Sequence, residues 1–225
     1  LTAGKLFIGA VALAVGAESF SAQHDLSDTP LFTLAGVDPN IVLTMDDSGS
    51  MAWSFMPTSV GDYPSTKRAK SAAFNKIYYD PTVLYEPPVD EDGNSLGNAS
   101  FTAAWDNGFD KSGSGSCTKN LSTSYRPSWG GINQTHCGSS DYSDGFYNRY
   151  ASSSSEPAYY YLFDSSLSDC NGNASDDDCY KKVVVSDTSG VGDTVDEREN
   201  FANWYSYYRK RVYVTKTAAT LAFER

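Results

Sequence analysis

Three features of the 225-residue sequence predict an α/β fold. Ile41-Val42-Leu43-Thr44-Met45 is a short apolar run with β-branched residues, the pattern of a strand buried on both faces in a parallel sheet. It ends abruptly at Asp46-Asp47-Ser48-Gly49-Ser50-Met51, and ligands of open α/β sheets bind just outside the carboxyl ends of such strands. The chain closes with a helix from about Asp196 to Arg225. In it Phe201, Trp204, Tyr208, Val212, Thr215, Ala219 and Ala222 recur at three- and four-residue steps, giving one packed stripe.

The elements follow in order. Lys5 precedes an apolar run from Leu6 to Ala17 and then the small-residue stretch Ser19-Phe20-Ser21-Ala22. One positive charge, an apolar segment too short to span a bilayer and a small-residue end are the layout of a secretory signal peptide over 1–22, so export is expected. A short buried helix is the alternative. Asp25-Leu26-Ser27-Asp28-Thr29-Pro30 is an extended lead-in to the first strand. A helix is expected from Ser65 to about Lys76, after which Pro81, Pro87 and Pro88 forbid regular helix. Strands are expected at Ala158 to Phe163 and Lys181 to Val185, where β-branched and aromatic residues cluster. Ser112 to Ser116 and Ser152 to Ser155 are loops, and no repeat is evident. Asp196, Glu197 and Glu199 stand at the start of the last helix, where acids complement its dipole.

Composition narrows the function. A formal charge of −11 argues against nucleic-acid binding, which depends on Lys and Arg neutralising phosphates. With 16 Tyr and 4 Trp the chain is not of the disordered class. Export makes the four cysteines readable as disulfides. Of the three pairings they allow, the sequence-local one is favoured, Cys117 with Cys137 and Cys170 with Cys179, each bridge pinning a loop by roughly 3 kcal/mol. A zinc site is the weaker rival, since no C-x2-C spacing occurs and only His24 and His136 could join.

One constellation carries chemistry. In Asp46-x-Ser48-x-Ser50 a carboxylate and two hydroxyls at alternate positions converge on a point if Gly49 turns the chain sharply. Oxygen-only donors suit a hard divalent cation, Mg²⁺ foremost, with Ca²⁺ or Mn²⁺ as alternatives. Three side chains leave the coordination shell unfinished, and a partner's carboxylate can complete it, which makes the metal an adhesive contact. The plain alternative is a turn capped by Asp and Ser. A phosphatase would need D-x-D, and Ser48 stands where the second carboxylate belongs. Neither G-x-S-x-G, P-loop nor H-E-x-x-H occurs, so no enzyme is expected. Asp90-Glu91-Asp92-Gly93-Asn94 reads as a solvated turn and Asp176-Asp177-Asp178 as a charged loop tip. Asn98, Asn120, Asn133 and Asn173 each begin an N-x-S/T triplet.

Several segments in fixed order resemble the type IV pilus tip-associated adhesin and biogenesis proteins, the PilY family. They are Asp25 to Phe32, Pro39 to Leu43, Asp46 to Met51, Tyr78-Tyr79-Asp80-Pro81, Tyr85-Glu86-Pro87-Pro88-Val89 and Asn200 to Arg209. The resemblance runs from about residue 25 to the end. It implies a partial von Willebrand factor A-like (Rossmann-like) domain, with a metal-ion-dependent adhesion site beginning at Asp46, Ser48 and Ser50. Residues 23–51 would form the lead-in, first strand and metal loop. Residues 52–194 would be a long, loop-rich, disulfide-pinned insertion, and 195–225 the first long helix. Such a domain needs further strands, so the chain is expected to be a fragment or to depend on a partner chain.

The function so implied is pilus biogenesis and cell-surface adhesion by a secreted, outer-membrane-associated protein at the pilus tip. Its partners would be minor pilins and a host or surface ligand with an acidic group. Neither nucleic acid nor a membrane span in the mature chain is expected. The competing class is a carbohydrate-binding or structural surface module in which the Asp46 loop is only a turn.

Overall fold

Glu197 begins a helix because Asp196 caps it: the Asp196 carboxylate accepts from the Arg198 N–H, and Glu197 and Glu199 occupy the first turn. The computed structural model in which this helix is seen describes residues 42–46, 48–111, 118–127, 156–190 and 196–223. The chain divides into two units, Leu1–Leu43 and Thr44–Arg225. Within the first, Val42 and Leu43 are exposed, at 88 % and 56 %. The expected leader and the Cys117–Cys137 bridge lie outside the described residues.

The second unit contains, in order, β1 (Ala104–Trp105), β2 (Thr118–Lys119), β3 (Tyr159–Phe163), β4 (Tyr180–Val184), α1 (Glu197–Tyr207) and α2 (Arg211–Phe223), with short 3-10 turns before and between them. β1 pairs with β2, and β3 with β4, both antiparallel; in the second hairpin Tyr159 faces Val184 and Phe163 faces Tyr180. The later strands therefore lie within a residue of where β-branched and aromatic clustering puts them. The protein is a mixed helix and strand structure in which loops do most of the enclosing.

Those loops enclose α1. Asn200 through Tyr207 are all buried, so the helix is covered on every face rather than along one stripe. Its neighbours are mostly tyrosines: the Tyr79 ring lies 4.8 Å from Phe201, 5.2 Å from Tyr160 and 5.5 Å from Tyr85. A buried phenol needs a partner for its hydroxyl, and each is supplied locally. Tyr78 and Tyr125 share a hydrogen bond of 2.8 Å, Tyr79 donates to Glu197 Oε1 at 3.1 Å, and Tyr207 donates to the Gly97 carbonyl at 2.8 Å. The loop backbone, which lacks ladder partners, is satisfied by the helix. Asn200 accepts from the Tyr85 N–H and donates to the Val83 carbonyl, both at 2.8 Å. Asn203 accepts from the Ala99 N–H at 2.8 Å, and the Trp204 indole donates to Ile77 at 3.0 Å.

Several sequence expectations are corrected. Val42 to Asp46 is irregular and exposed rather than a buried strand. Among the described residues the sheets are two antiparallel hairpins, and this run belongs to neither. Ser65 to Lys76 is not an α-helix; it holds a 3-10 turn, Arg68–Lys70, and further turns. The cause is Asn75, fully buried, whose side chain bonds the Ser54 and Ala69 carbonyls and the Met56 N–H and so competes with helical pairing. The single helix expected from Asp196 to Arg225 is two, broken at Tyr208 to Lys210. The Arg211 N–H bonds the Trp53 carbonyl at 3.1 Å instead of continuing the helix, and the Tyr207 carbonyl takes the Thr217 hydroxyl at 2.8 Å. Asp177 is not a loose loop tip, because its carboxylate accepts from the Lys67 and Arg68 N–H groups at 2.8 and 3.0 Å. The Cys170–Cys179 bridge is formed, with Cα atoms 4.5 Å apart, and closes the loop that carries Asp177. Among the described residues no helix is long and apolar enough to cross a membrane.

Candidate metal-binding site

Ser48 links the other two candidate residues, bonding Asp46 on one side and Ser50 on the other. The Asp46 carboxylate accepts from the Ser48 N–H at 2.8 Å, and the Ser48 and Ser50 hydroxyl oxygens are 3.0 Å apart. A 3-10 turn over Gly49–Ala52 follows, opened by the Met51 N–H bonding Ser48 O at 2.9 Å. This tight turn brings the two serines, two residues apart, to the same side. Asp47 lies outside the described residues.

The turn is held from behind by the start of α2. Arg211 donates its backbone N–H to Trp53 and its Nε to the Phe55 carbonyl at 2.9 Å, and its guanidinium lies 4.9 Å from the centre of the Trp53 ring. Trp53 in turn stacks on Phe55 at 5.0 Å. The loop is thus anchored on its inner side while Asp46 and Ser48 face solvent.

The backbone N–H of Ser48, and after it the Ser48 hydroxyl, hold the Asp46 carboxyl below the ordinary carboxylate range. Asp46 is therefore ionised at neutral pH and acts only as an acceptor. One carboxylate and two hydroxyls are oxygen donors of the type a small hard cation takes. The Ser48 and Ser50 oxygens are hydrogen-bonded to one another at 3.0 Å, a separation also found between adjacent vertices of an octahedron with metal–oxygen bonds of about 2.1 Å. Hydroxyl, hydroxyl and carboxylate would fill at most half of an octahedral shell.

Other candidates resolve differently. Among the described residues no group of three or more His, Cys, Asp or Glu side chains is placed to hold a metal. Asp90 forms a closed turn, its carboxylate taking the Asp92 and Asn94 N–H groups at 3.0 and 2.8 Å. Asn98 is engaged with Glu199 and Asn203, and Asn120 and Asn173 close turns on the serines two residues ahead; Asn133 lies outside the described residues. Sequence reasoning missed a buried charged group at the helix break. Arg209 pairs with Asp106 at 2.7 Å, Tyr205 donates to the same oxygen at 3.1 Å, and Lys210 is buried beside them. Burial pushes the Asp106 carboxyl up, but Arg209 and Lys210 outweigh it and hold it below its usual range. Asp106 is about 100 residues from its partners, and no local pattern marks it.

No family model and no solved structure matches the chain. Curated proteins do. The chain is 36 % identical over 213 residues to the Type IV pilus biogenesis factor PilY1 of Pseudomonas aeruginosa strain PAO1, an alignment covering 90 % of this chain and 16 % of the relative. The proteins of the same name from strains UCBPP-PA14 and PAK are each 35 % identical, over 98 % and 90 % of the chain and 18 % and 16 % of the relative. The chain is thus similar along nearly its whole length to proteins named as type IV pilus biogenesis factors, and it spans 16 to 18 % of the length of these relatives.

Proposed function

We propose that this chain serves type IV pilus biogenesis and surface adhesion, as an exported module that presents a divalent cation on Asp46, Ser48 and Ser50. The observation that supports the reading is an exposed, anchored turn on which Ser48 contacts both Asp46 and Ser50. The names of the relatives support the pilus context.

In this reading the Asp46 carboxylate supplies the charge that holds the cation, and the two hydroxyls set its position. Trp53 and Arg211 keep the turn from swinging when a partner pulls on it. A bound Mg²⁺ would offer its remaining positions to water or to an acidic group of a host or surface ligand. The module would be a von Willebrand factor A-like region at the pilus tip, associated with the outer membrane and in contact with minor pilins.

The test combines metal binding with adhesion. Mn²⁺ titrated into the protein, followed by electron paramagnetic resonance, is expected to bind weakly and in the ratio of one ion per chain. Asp46→Ala should abolish that binding, and Ser48→Ala and Ser50→Ala should each weaken it about tenfold or less, each hydroxyl being one weak ligand among several. Cells carrying the protein should lose attachment in EDTA and in the Asp46→Ala variant alike. Attachment that survives both treatments would overturn the adhesive-cation reading and leave the loop as a turn.

A further inference from the structure

A groove of about 430 Å³ opens beside the β4 end of the fold, away from the Asp46 turn in sequence and in the residues that form it. It is the size that small-molecule sites occupy. It is lined by Val185, buried, by the half-buried Phe101, and by Ser100, Thr102, Ser122 and Ser186. Ser100 and Thr102 share a hydrogen bond of 3.3 Å, and Ser122 Oγ donates to Asn120 Oδ1 at 2.6 Å. At its rim Asp187 and Arg198 face each other across 3.9 Å, with both side chains well exposed.

Three properties select a ligand class. The rim pair is too far apart for a hydrogen bond, so a ligand hydroxyl lying to one side of the pair can bond to both. Arg198 is already neutralised, since its Nε and Nη2 donate to Asp196 at 2.9 and 2.6 Å. With Asp187 opposite and a chain charge of −11, the groove does not attract anions. The remaining lining is apolar at Phe101 and Val185 and neutral at four hydroxyl side chains, whose oxygens keep further acceptor positions. A hydroxyl-rich ring with one apolar face matches that arrangement.

From this geometry we infer that the groove between Phe101 and the Asp187–Arg198 pair binds a neutral saccharide, as a second recognition site independent of the metal loop. Phe101 and Val185 take the apolar face of the sugar, the serine and threonine hydroxyls its edge, and Asp187 with Arg198 a pair of adjacent hydroxyls. A shallow, exposed site gains overall strength by repetition.

Saturation-transfer NMR on the full chain, with methyl glucoside, methyl galactoside, methyl mannoside, N-acetylglucosamine, lactose and maltose as probes, tests the assignment. At least one neutral sugar should give signal, undiminished by EDTA and by Asp46→Ala, which separates this site from the metal reading. Asp187→Ala, at an exposed side chain, and Thr102→Arg, which fills the groove, should each reduce the signal at least fivefold with the circular dichroism spectrum unchanged. Silence for all six sugars at 50 mM would overturn the inference. So would signal that persists in both variants, or preference for glucuronate or sialyllactose over every neutral probe.

Discussion

Lys210 sits least comfortably in its surroundings. Its side chain is buried, its ammonium lies 5.8 Å from the centre of the Tyr213 ring, and Arg209 is its neighbour. Burial pushes the Lys210 ammonium down to about 7, with Arg209 acting in the same direction and Asp106 against it. The sign follows from linkage. Between pH 7 and the ordinary lysine value the unfolded chain binds the extra proton, so stability rises with pH across that window. Lys210→Met keeps the volume and removes the charge, and it should stabilise the protein at pH 7 by about 1–4 kcal/mol. Urea midpoints at pH 7 and pH 9.5 measure this: the variant's advantage should shrink at the higher pH, and equal midpoints at pH 7 would mean that the ammonium reaches water. Asn200→Ala acts oppositely. It strands the Tyr85 N–H and the Val83 carbonyl, each worth about 1–3 kcal/mol when buried and unpaired, and the urea midpoint should fall accordingly. At this scale the contacts of Ser48 with Asp46 and Ser50 are legible in the sequence because they need only the turn between them. Lys210, Asp106 and Asn75 are not, because what they contact is set by chain folded back from elsewhere.

The elements divide by the same rule. β3 and β4 are readable because their aromatic and β-branched residues are contiguous and their hairpin is closed by the Cys170–Cys179 loop. The break between α1 and α2 is unreadable, because the apolar spacing continues through it and the competing acceptor, the Trp53 carbonyl, is remote. Val42 to Met45 follow the same rule: they are irregular and exposed, because an apolar run becomes a strand only when it pairs with another, and that pairing is not written in the run itself. Two predictions belong here. Replacing Cys170 and Cys179 together by Ser opens a loop with a sequence separation of 9 and should cost roughly 2–3 kcal/mol. The same change should raise hydrogen exchange at Lys67 and Arg68, whose N–H groups are held by Asp177 in that loop. Slow exchange there in the double variant would show that the loop keeps its shape without the bridge. The second concerns Gly108, where the 104–108 segment meets α1. A Cβ there would overlap the Tyr207 ring and lie 2.9 Å from the Ser206 carbonyl. Gly108→Ala should therefore destabilise by about 1–3 kcal/mol, read as a lower thermal midpoint.

For the molecule as a whole, the abundance of tyrosine signals an aromatic core, though not which phenols are buried. Burial pushes the hydroxyls of Tyr207, Tyr208 and Tyr213 up to about 12, and those of Tyr78 and Tyr125, which also share a hydrogen bond, well above the ordinary range. A phenol raised in the folded state contributes stability that is complete below the ordinary tyrosine value and is lost as pH rises beyond it, because the unfolded chain then ionises first. Among the described residues twelve such tyrosines lie on α1, α2, β3, β4 and the loops around them, so their losses arrive together. Lys210 tilts stability upward from pH 7, and the tyrosines pull it down above about 10. The expected profile is a maximum on the mildly alkaline side followed by a steep fall. Tyrosinate absorbance should therefore rise in one cooperative step that coincides with loss of the near-ultraviolet dichroism, instead of spreading over the two pH units of independent exposed phenols. A gradual rise near pH 10 with the dichroism intact would mean that the phenols ionise in the folded protein, and a tyrosine core packed around α1 would no longer explain why the loops hold together.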